Sequence, residues 1–357
     1  MWAAISTKMG RAVGARDNEA IGKYFKMAII LAAGSGVFTW AIVYPFGPLL
    51  MRTIYDYPVS LKPAVYNLAW PYLYIHAIGQ PLDYLNGVGG SVLQGMQQLK
   101  MYVLVGFLNG TLSGLSNWVA INVLGFGING SATVHVMRQV VLISISYGYL
   151  YWYFGKEAKN PQSWVGNIKV WGSKIEWSDW NIFSRHSFYL LLGGYFGVAD
   201  QQVNTILINK MGSVDLAGNS LIGTMMSYPY IFAGAFGTVI STLGSKYIGQ
   251  RDDKAYLKLG LTMIVLSGAI GASLGVVVVF FADDLLHFFT NEQDIIDIIK
   301  PVFPVIVPYI AAGMVRSVMY GMAWAMQEFA CEHPLPYPGV GCLLGVSHRR
   351  ACRHGRD

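Results

Sequence analysis

Long apolar stretches separated by short polar segments dominate the pattern of this chain. A helix needs about 20 mainly apolar residues to cross a bilayer, and eight stretches meet that length. They cover residues 27–53, 64–94, 101–125, 132–154, 184–210, 217–243, 257–282 and 297–327. The clearest contains the run Val276–Phe281, and the weakest, 64–94, contains Asp83 and many glycines. The pattern predicts an all-α membrane protein with about eight transmembrane helices.

Composition and charge support this interpretation. Hydrophobic residues make up 54% of the 357 residues and charged residues only 12%, whereas soluble domains carry about 25% charged residues. Basic residues lie mostly in alternate loops between the apolar stretches, as in cytoplasmic loops of membrane proteins. They are not gathered on one face, so the net charge of +6 does not indicate nucleic-acid binding. We expect a multi-pass protein of the plasma membrane or an organelle membrane, with the lipid bilayer as its partner.

An internal repeat suggests how the helices are organised. Residues 5–20 align without gaps to residues 240–255, with seven identities. Residues 91–95 likewise resemble residues 317–321. Six predicted spans lie between the first two copies, and an even number returns the chain to the same side of the membrane. The repeat therefore indicates a unit of six helices, used twice in parallel, which is a known transporter plan.

The repeat also predicts domain limits. We expect an N-terminal bundle at 1–154 that lacks its first two helices, a cytoplasmic linker at 155–183, and a C-terminal bundle at 184–327 that lacks its last two. Four tryptophans and several lysines in the linker are typical of a helix on a membrane surface. Residues 328–357 change composition abruptly, so we expect either a foreign or out-of-frame tail or a genuine disordered one. This tail holds all three cysteines but no C-x-x-C pair, and we predict no metal site there.

Three segments resemble the multidrug and toxic-compound extrusion (MATE) transporters. They are 92–97 (VLQGMQ), 124–132 (LGFGINGSA) and 242–253 (TLGSKYIGQRDD), and the resemblance covers about residues 1–327. It implies export of organic cations and other amphipathic compounds, driven by inward flow of protons or sodium. It implies a small organic substrate and no cofactor beyond the coupling ion, and we expect a monomer.

Ionisable residues inside predicted spans are candidate functional residues, because a charge in the membrane is costly. Asp200 is the leading candidate, with Gln201 and Asn204 beside it. The resemblance supports this choice, since the family carries a carboxylate in its seventh helix twelve residues before a glycine, and Asp200 stands twelve before Gly212. The alternative is an acid with a structural role only.

Other candidates are weaker. Asp83 lies among polar residues and glycines, where helix packing is an equal alternative. Tyr84 and Tyr195 are candidates for a cation–π contact with substrate, against a packing or interface role. Four further ionisable residues have open roles in hydrogen bonding, charge neutralisation or anion binding: His76, His135, Arg138 and Arg316.

Several functional alternatives remain open at this stage. A lipid-linked saccharide flippase of the same superfamily would favour a basic cavity, whereas the acids within the spans favour cations. The chain also fits a truncated, non-transporting remnant or an incomplete gene product. We do not expect an enzyme, because the sequence holds no nucleophile elbow and no zinc-protease motif.

Overall fold

A computed structural model of the chain describes residues 2–54, 62–160 and 213–326, with scattered positions between 163 and 208. These residues are almost entirely helical and contain no strand, which confirms the all-α class. The first helices are α1 (Trp2–Ala15), α2 (Asn18–Ile54), α3 (Lys62–Gly95), α4 (Leu99–Trp118) and α5 (Gly127–Ala158). The later helices are α6 (Ser213–Gly249), α7 (Asp253–Phe280), α8 (Ala282–Phe289), α9 (Gln293–Ile299) and α10 (Phe303–Met326).

Three segments of the described residues are long and apolar enough to cross a membrane. They are Asn18–Leu49, Asp253–Phe280 and Gln293–Met326. Helices α3, α5 and α6 have 34, 32 and 37 residues, also enough to span, but carry more polar side chains. The predicted count of eight spans is not confirmed. Predicted span 184–210 lies largely, and tail 328–357 wholly, outside the described residues, whereas linker 155–183 is described in part and includes the end of α5 at Ala158.

The chain divides into two compact units. The N-terminal unit comprises Trp2 and residues 4–180, and the C-terminal unit begins at residue 181. In the N-terminal unit, α3 packs against both α2 and α5. In the C-terminal unit, α10 packs against both α6 and α7. Each unit therefore has one helix in contact with two long neighbours, and the predicted bundle limits stay predictions.

The two copies of the sequence repeat fold as the same helix corner. Helix α1 ends just before Arg16 and α6 ends shortly before Arg251, and these arginines have φ angles of 56° and 59°. A left-handed residue commonly ends a helix, although glycine is the usual choice. The shared use of arginine in this conformation makes the repeat a structural one.

The residue after each arginine caps the next helix. The Asp17 Oδ1 accepts a hydrogen bond from the Ala20 backbone N–H at 3.0 Å, and the Asp252 Oδ1 accepts one from that of Ala255 at 2.9 Å. An aspartate in this position satisfies one of the unpaired amides at a helix N-terminus. Helices α2 and α7 therefore begin in the same way, 235 residues apart in the chain.

We expect Asp252→Ala to lower the free energy of unfolding by about 1 kcal/mol, because it removes this cap. Asp252→Asn should retain most of the stability, since asparagine caps nearly as well. Unfolding of the purified protein in detergent, followed by circular dichroism during a denaturant titration, would measure both. Equal stabilities of the alanine and asparagine variants would contradict a capping role.

A close helix crossing extends the repeat further into each unit. A Cβ atom added to Gly36 in α2 would overlap the Cα of Pro81 in α3. A Cβ added to Gly271 in α7 would lie 2.8 Å from the Cα of Ala311 in α10. Gly36 and Gly271 are also 235 residues apart. Small residues let membrane helices approach closely, and both units use a glycine at this point.

One basic residue lies where the sequence did not place it. Lys8 precedes the first predicted span, where the charge pattern predicts a basic residue in a loop, but it lies within α1 and is buried. Its Nζ is 5.2 Å from the centroid of the Tyr24 ring. The segment before the first predicted span is too short to show a clear helical pattern of apolar residues, so α1 was not predicted.

Candidate functional site

Asp83 lies at the centre of a polar cluster between α3 and α5 of the N-terminal unit. Its Oδ1 and Oδ2 lie 3.0 and 3.1 Å from the Nε2 of His135. The Nε2 of Gln80 donates a longer hydrogen bond of 3.3 Å to Oδ2. The side chains of Asp83 and His135 are each 20% exposed. The carboxylate is thus held from two helices and largely shielded.

Arg138 contacts the other nitrogen of the same imidazole. Its Nη2 lies 2.7 Å from the Nδ1 of His135. A guanidinium only donates hydrogen bonds, so Nδ1 must accept and Nε2 must carry the ring proton. His135 is therefore assigned as a neutral imidazole that donates to Asp83. Arg138, His135 and Asp83 form a directed chain of hydrogen bonds.

Arg138 is incompletely satisfied in this arrangement. Its Nε is buried and has no hydrogen-bond partner among the described residues. Buried polar groups are nearly always paired, and an exception calls for an explanation. An arginine with spare donors is free to exchange one contact for another, which suits a group that moves during function.

His76 completes the cluster from α3. Its ring centroid lies 4.5 Å from that of His135. One ring nitrogen of each histidine, His76 and His135, and one carboxylate oxygen of Asp83 all lie within 4.8 Å of one another. His76, Gln80 and Asp83 are spaced by four and three residues, so they share one face of α3. The sequence placed His76 and Asp83 in one predicted span and His135 in another, but gave no sign that they meet.

A glycine allows the two helices to approach at this level. A Cβ added to Gly79 would lie 2.9 Å from Cγ2 of Val136 on α5. Two turns further along α3, the Nδ2 of Asn86 donates a 2.8 Å hydrogen bond to the Oε1 of Gln139. The Tyr147 hydroxyl then donates to the carbonyl of Leu85 at 3.0 Å. Polar contacts thus continue along the α3–α5 interface beyond the charged cluster.

The cluster suits a proton better than a metal ion. With neutral histidines, Asp83 and Arg138 sum to zero charge. A proton brings the cluster to +1, whereas a divalent metal brings it to +2, and excess charge inside a membrane protein is costly. Sodium, like other hard cations, prefers several oxygen ligands, and here imidazole and guanidinium nitrogens surround one carboxylate.

The remaining predicted site residues are distributed differently. The ring of Tyr84 lies 6.4 Å from that of Trp2, which is a packing contact. Asn204 lines a cavity in the C-terminal unit. Asp200, Gln201 and Tyr195 lie outside the described residues, so their proposed roles stay predictions. The structure thus places His135, Arg138 and His76 in a cluster with Asp83, whose role as a site residue stays a prediction.

Comparisons with known proteins give a consistent picture. A family model described as MatE matches residues 1–117 and 200–330. The chain is 22% identical over 358 residues to multidrug and toxin extrusion protein 2 of Mus musculus, covering 99% of this chain and 59% of that protein. It is 20% identical over 355 residues to Protein DETOXIFICATION 41 of Arabidopsis thaliana, covering 97% of this chain and 67% of that protein.

A solved structure shares the fold. It is described as an outward-facing conformation of a multidrug resistance MATE family transporter of the MOP superfamily. The TM-score is 0.74 at 18% identity, covering 92% of this chain and 72% of that one. At this identity the likeness concerns the fold alone. The chain spans about three fifths of the length of the mouse relative.

Proposed function

Because the chain belongs to the MatE family of integral, multi-pass membrane transporters, we propose that it exports small amphipathic organic compounds in exchange for protons, with Asp83 and His135 as the proton-binding pair. The family supports the transport class. The hydrogen-bonded chain from Arg138 through His135 to Asp83 is the observation that favours the proton and this site.

Proton uptake changes this chain of contacts in a defined way. A proton that settles on Nδ1 of His135 turns that nitrogen from an acceptor into a donor. The protonated Nδ1 then faces the Nη2 of Arg138, which is also a donor and carries a positive charge. These two atoms are 2.7 Å apart in the structure. The two cannot keep this contact, so Arg138 must withdraw while His135 and Asp83 form a charged pair.

This exclusion supplies the two states that alternating access needs. Without the proton, Arg138 is bound to His135, its neighbour on α5. His135 in turn contacts Asp83 on α3. With the proton, Arg138 is released from His135, and the His135–Asp83 contact between α5 and α3 becomes a charged pair. A ligand shifts a two-state equilibrium only through different interactions with the two states, and here the proton interacts differently with each.

Asp200 stays a second candidate for coupling on the strength of its sequence position. We favour Asp83 over Asp200 as the coupling residue because Arg138 lies beside the Asp83–His135 pair. Its withdrawal would offset the positive charge of the arriving proton. The saccharide flippase has less support, since the matched relatives are described as multidrug and toxin extrusion proteins. The two carboxylates can be compared directly by substitution.

Transport by purified protein in proteoliposomes tests the proposal. We expect a pH gradient, and not a sodium gradient of the same size, to drive movement of a fluorescent organic cation or anion across the vesicle membrane. The rate should fall to the protein-free level when a protonophore collapses the gradient. Transport driven by sodium at constant pH would contradict proton coupling. Failure with both gradients, by folded protein, would contradict the transport proposal itself.

A further inference from the structure

The C-terminal unit has a large, open cavity that the proposed proton site does not use, and several of its lining side chains, Arg316 among them, are exposed. Its volume is about 1020 Å³, at the upper end of the usual range for small-molecule sites. Helix α6 contributes residues spaced by about one turn, including Met226 and Tyr230. Helix α10 contributes Tyr309 and Arg316, which stand two turns apart and so share a face. Two long helices of one unit therefore form the walls.

Arg316 gives this cavity its charge. It is the one charged side chain among the described residues that line the cavity, and none of them is acidic. The ion pairs within the described parts of the chain do not include it. Arg316 lies well inside the apolar segment Gln293–Met326. An arginine at such a position is costly and marks a ligand pathway by default.

Two tyrosines extend the donor surface beside the arginine. The hydroxyls of Tyr230 and Tyr309 are 2.7 Å apart, with their rings edge-on at 88°. The side chain of Arg316 lines the same cavity as these two tyrosines. Whichever hydroxyl donates within the pair, one O–H proton remains for a further acceptor. Arginine and tyrosine thus present hydrogen-bond donors to the cavity.

The rest of the wall is mainly apolar. Side chains of Ile222 and Met226 on one helix face Val305 and Ile306 on the other. A ligand that satisfies both surfaces needs an anionic oxygen group at one end and an apolar body at the other. Guanidinium groups match carboxylates and related anions in a planar, two-pronged geometry.

We propose that this cavity binds an amphipathic organic anion, with its carboxylate or sulfonate on Arg316 and its apolar body between α6 and α10. Only the statement that this anion is a transported substrate rests on the proposed function. The substrate class differs from the organic cations that the family resemblance implies.

Equilibrium binding of a matched pair of ligands tests the site without any ion gradient. Dansylglycine carries a carboxylate, and dansylglycinamide is its neutral counterpart of nearly the same shape. With protein in phosphatidylcholine nanodiscs, dansyl fluorescence should show that the anion binds at least about tenfold more tightly, the size expected for one charge-assisted hydrogen bond. Arg316→Gln should remove this preference, and Arg316→Lys should keep part of it.

Lys258→Gln is the control, because Lys258 is an exposed cation on α7 of the same unit. It should leave the preference for the anion unchanged. Nanodiscs that contain the anionic lipid phosphatidylglycerol distinguish a soluble organic anion from a lipid headgroup as the ligand of this site. Weaker dansylglycine binding there, dependent on Arg316, would assign the site to a lipid headgroup and still support the anion site.

Equal binding of the two ligands by wild-type protein would argue against the proposal. The Asp200→Asn variant is measured in parallel, since Asp200 precedes the lining residue Asn204 by four positions in the sequence and this substitution removes its negative charge. Equal binding by both proteins would overturn the anion site, and this comparison does not depend on whether Arg316 variants fold. Selective binding without gradient-driven transport would retain the site and overturn only the proposed transport.

Discussion

Asp83→Asn is expected to reduce proton-driven transport to about a tenth of the wild-type rate or less, because a neutral amide does not stabilise the protonated His135, and one charge-assisted contact corresponds to a factor of about this size. Asparagine keeps the shape of the side chain, and its Oδ1 still accepts a hydrogen bond from the Nε2 of His135. It carries no negative charge with which to form a charged pair with the protonated His135. The variant therefore removes the proposed coupling function while preserving most of the local contacts, and proteoliposome transport under a fixed pH gradient measures the effect.

Asp283→Asn is the matched control for this experiment. Asp283 is an exposed acid on α8 that pairs with Lys300 at 2.8 Å, and surface pairs of this kind contribute little stability. Its variant should transport at the wild-type rate. Full activity of a folded Asp83→Asn protein would exclude the Asp83–His135 pair as the coupling site. Asp200→Asn, measured in parallel, would then show whether coupling resides there.

Gly36→Leu is expected to prevent stable folding of the N-terminal unit. Its new side chain would begin with a Cβ that overlaps the backbone of Pro81, so α2 and α3 would have to separate. Gly36→Ala, the smallest change, should already lower the unfolding free energy by about 1–3 kcal/mol, the usual cost of overpacking. The yield of monodisperse protein and a denaturant titration report the two effects.

Gly34 offers a control two residues away on the same helix. No atom lies within 4 Å of a Cβ built on Gly34, so Gly34→Ala removes a flexible glycine without a clash. It should leave stability unchanged or raise it by about 0.5–1 kcal/mol. If alanine at both positions has the same effect, then the close crossing of α2 and α3 is not what constrains Gly36.

Much of the architecture could be predicted from the sequence because two signals were strong. Long apolar runs predicted the helical class, and the run Val276–Phe281 lies at the end of α7, a segment apolar enough to span. The repeat between residues 5–20 and 240–255 predicted a common element, and the structure shows the same left-handed arginine and aspartate cap in each copy. Local chemistry fixes such corners, so they can be predicted from short segments.

The candidate site was harder to predict because its contacts join distant parts of the chain. Asp83 and His135 are 52 residues apart, and no local pattern reports which face of α5 meets which face of α3. Sequence reasoning therefore ranked each ionisable residue separately. The i, i+3 spacing of His135 and Arg138 was an available signal, because it places both on one helical face. The large cavity at Arg316 depends on the spacing between α6 and α10, which periodicity does not give.

The polar α3–α5 interface also constrains the order of events during synthesis. Helix α3 carries Asp83 and His76, and a single aspartate near the centre of a helix adds about 3 kcal/mol to the free energy of insertion by the translocon. The partners of its polar side chains, His135 for Asp83 and Gln139 for Asn86, lie on α5, which begins 32 residues after α3 ends. We therefore expect α3 to remain at the translocon, or to exchange between the translocon and the lipid, until α5 has emerged from the ribosome. The two helices then enter the bilayer as a pair.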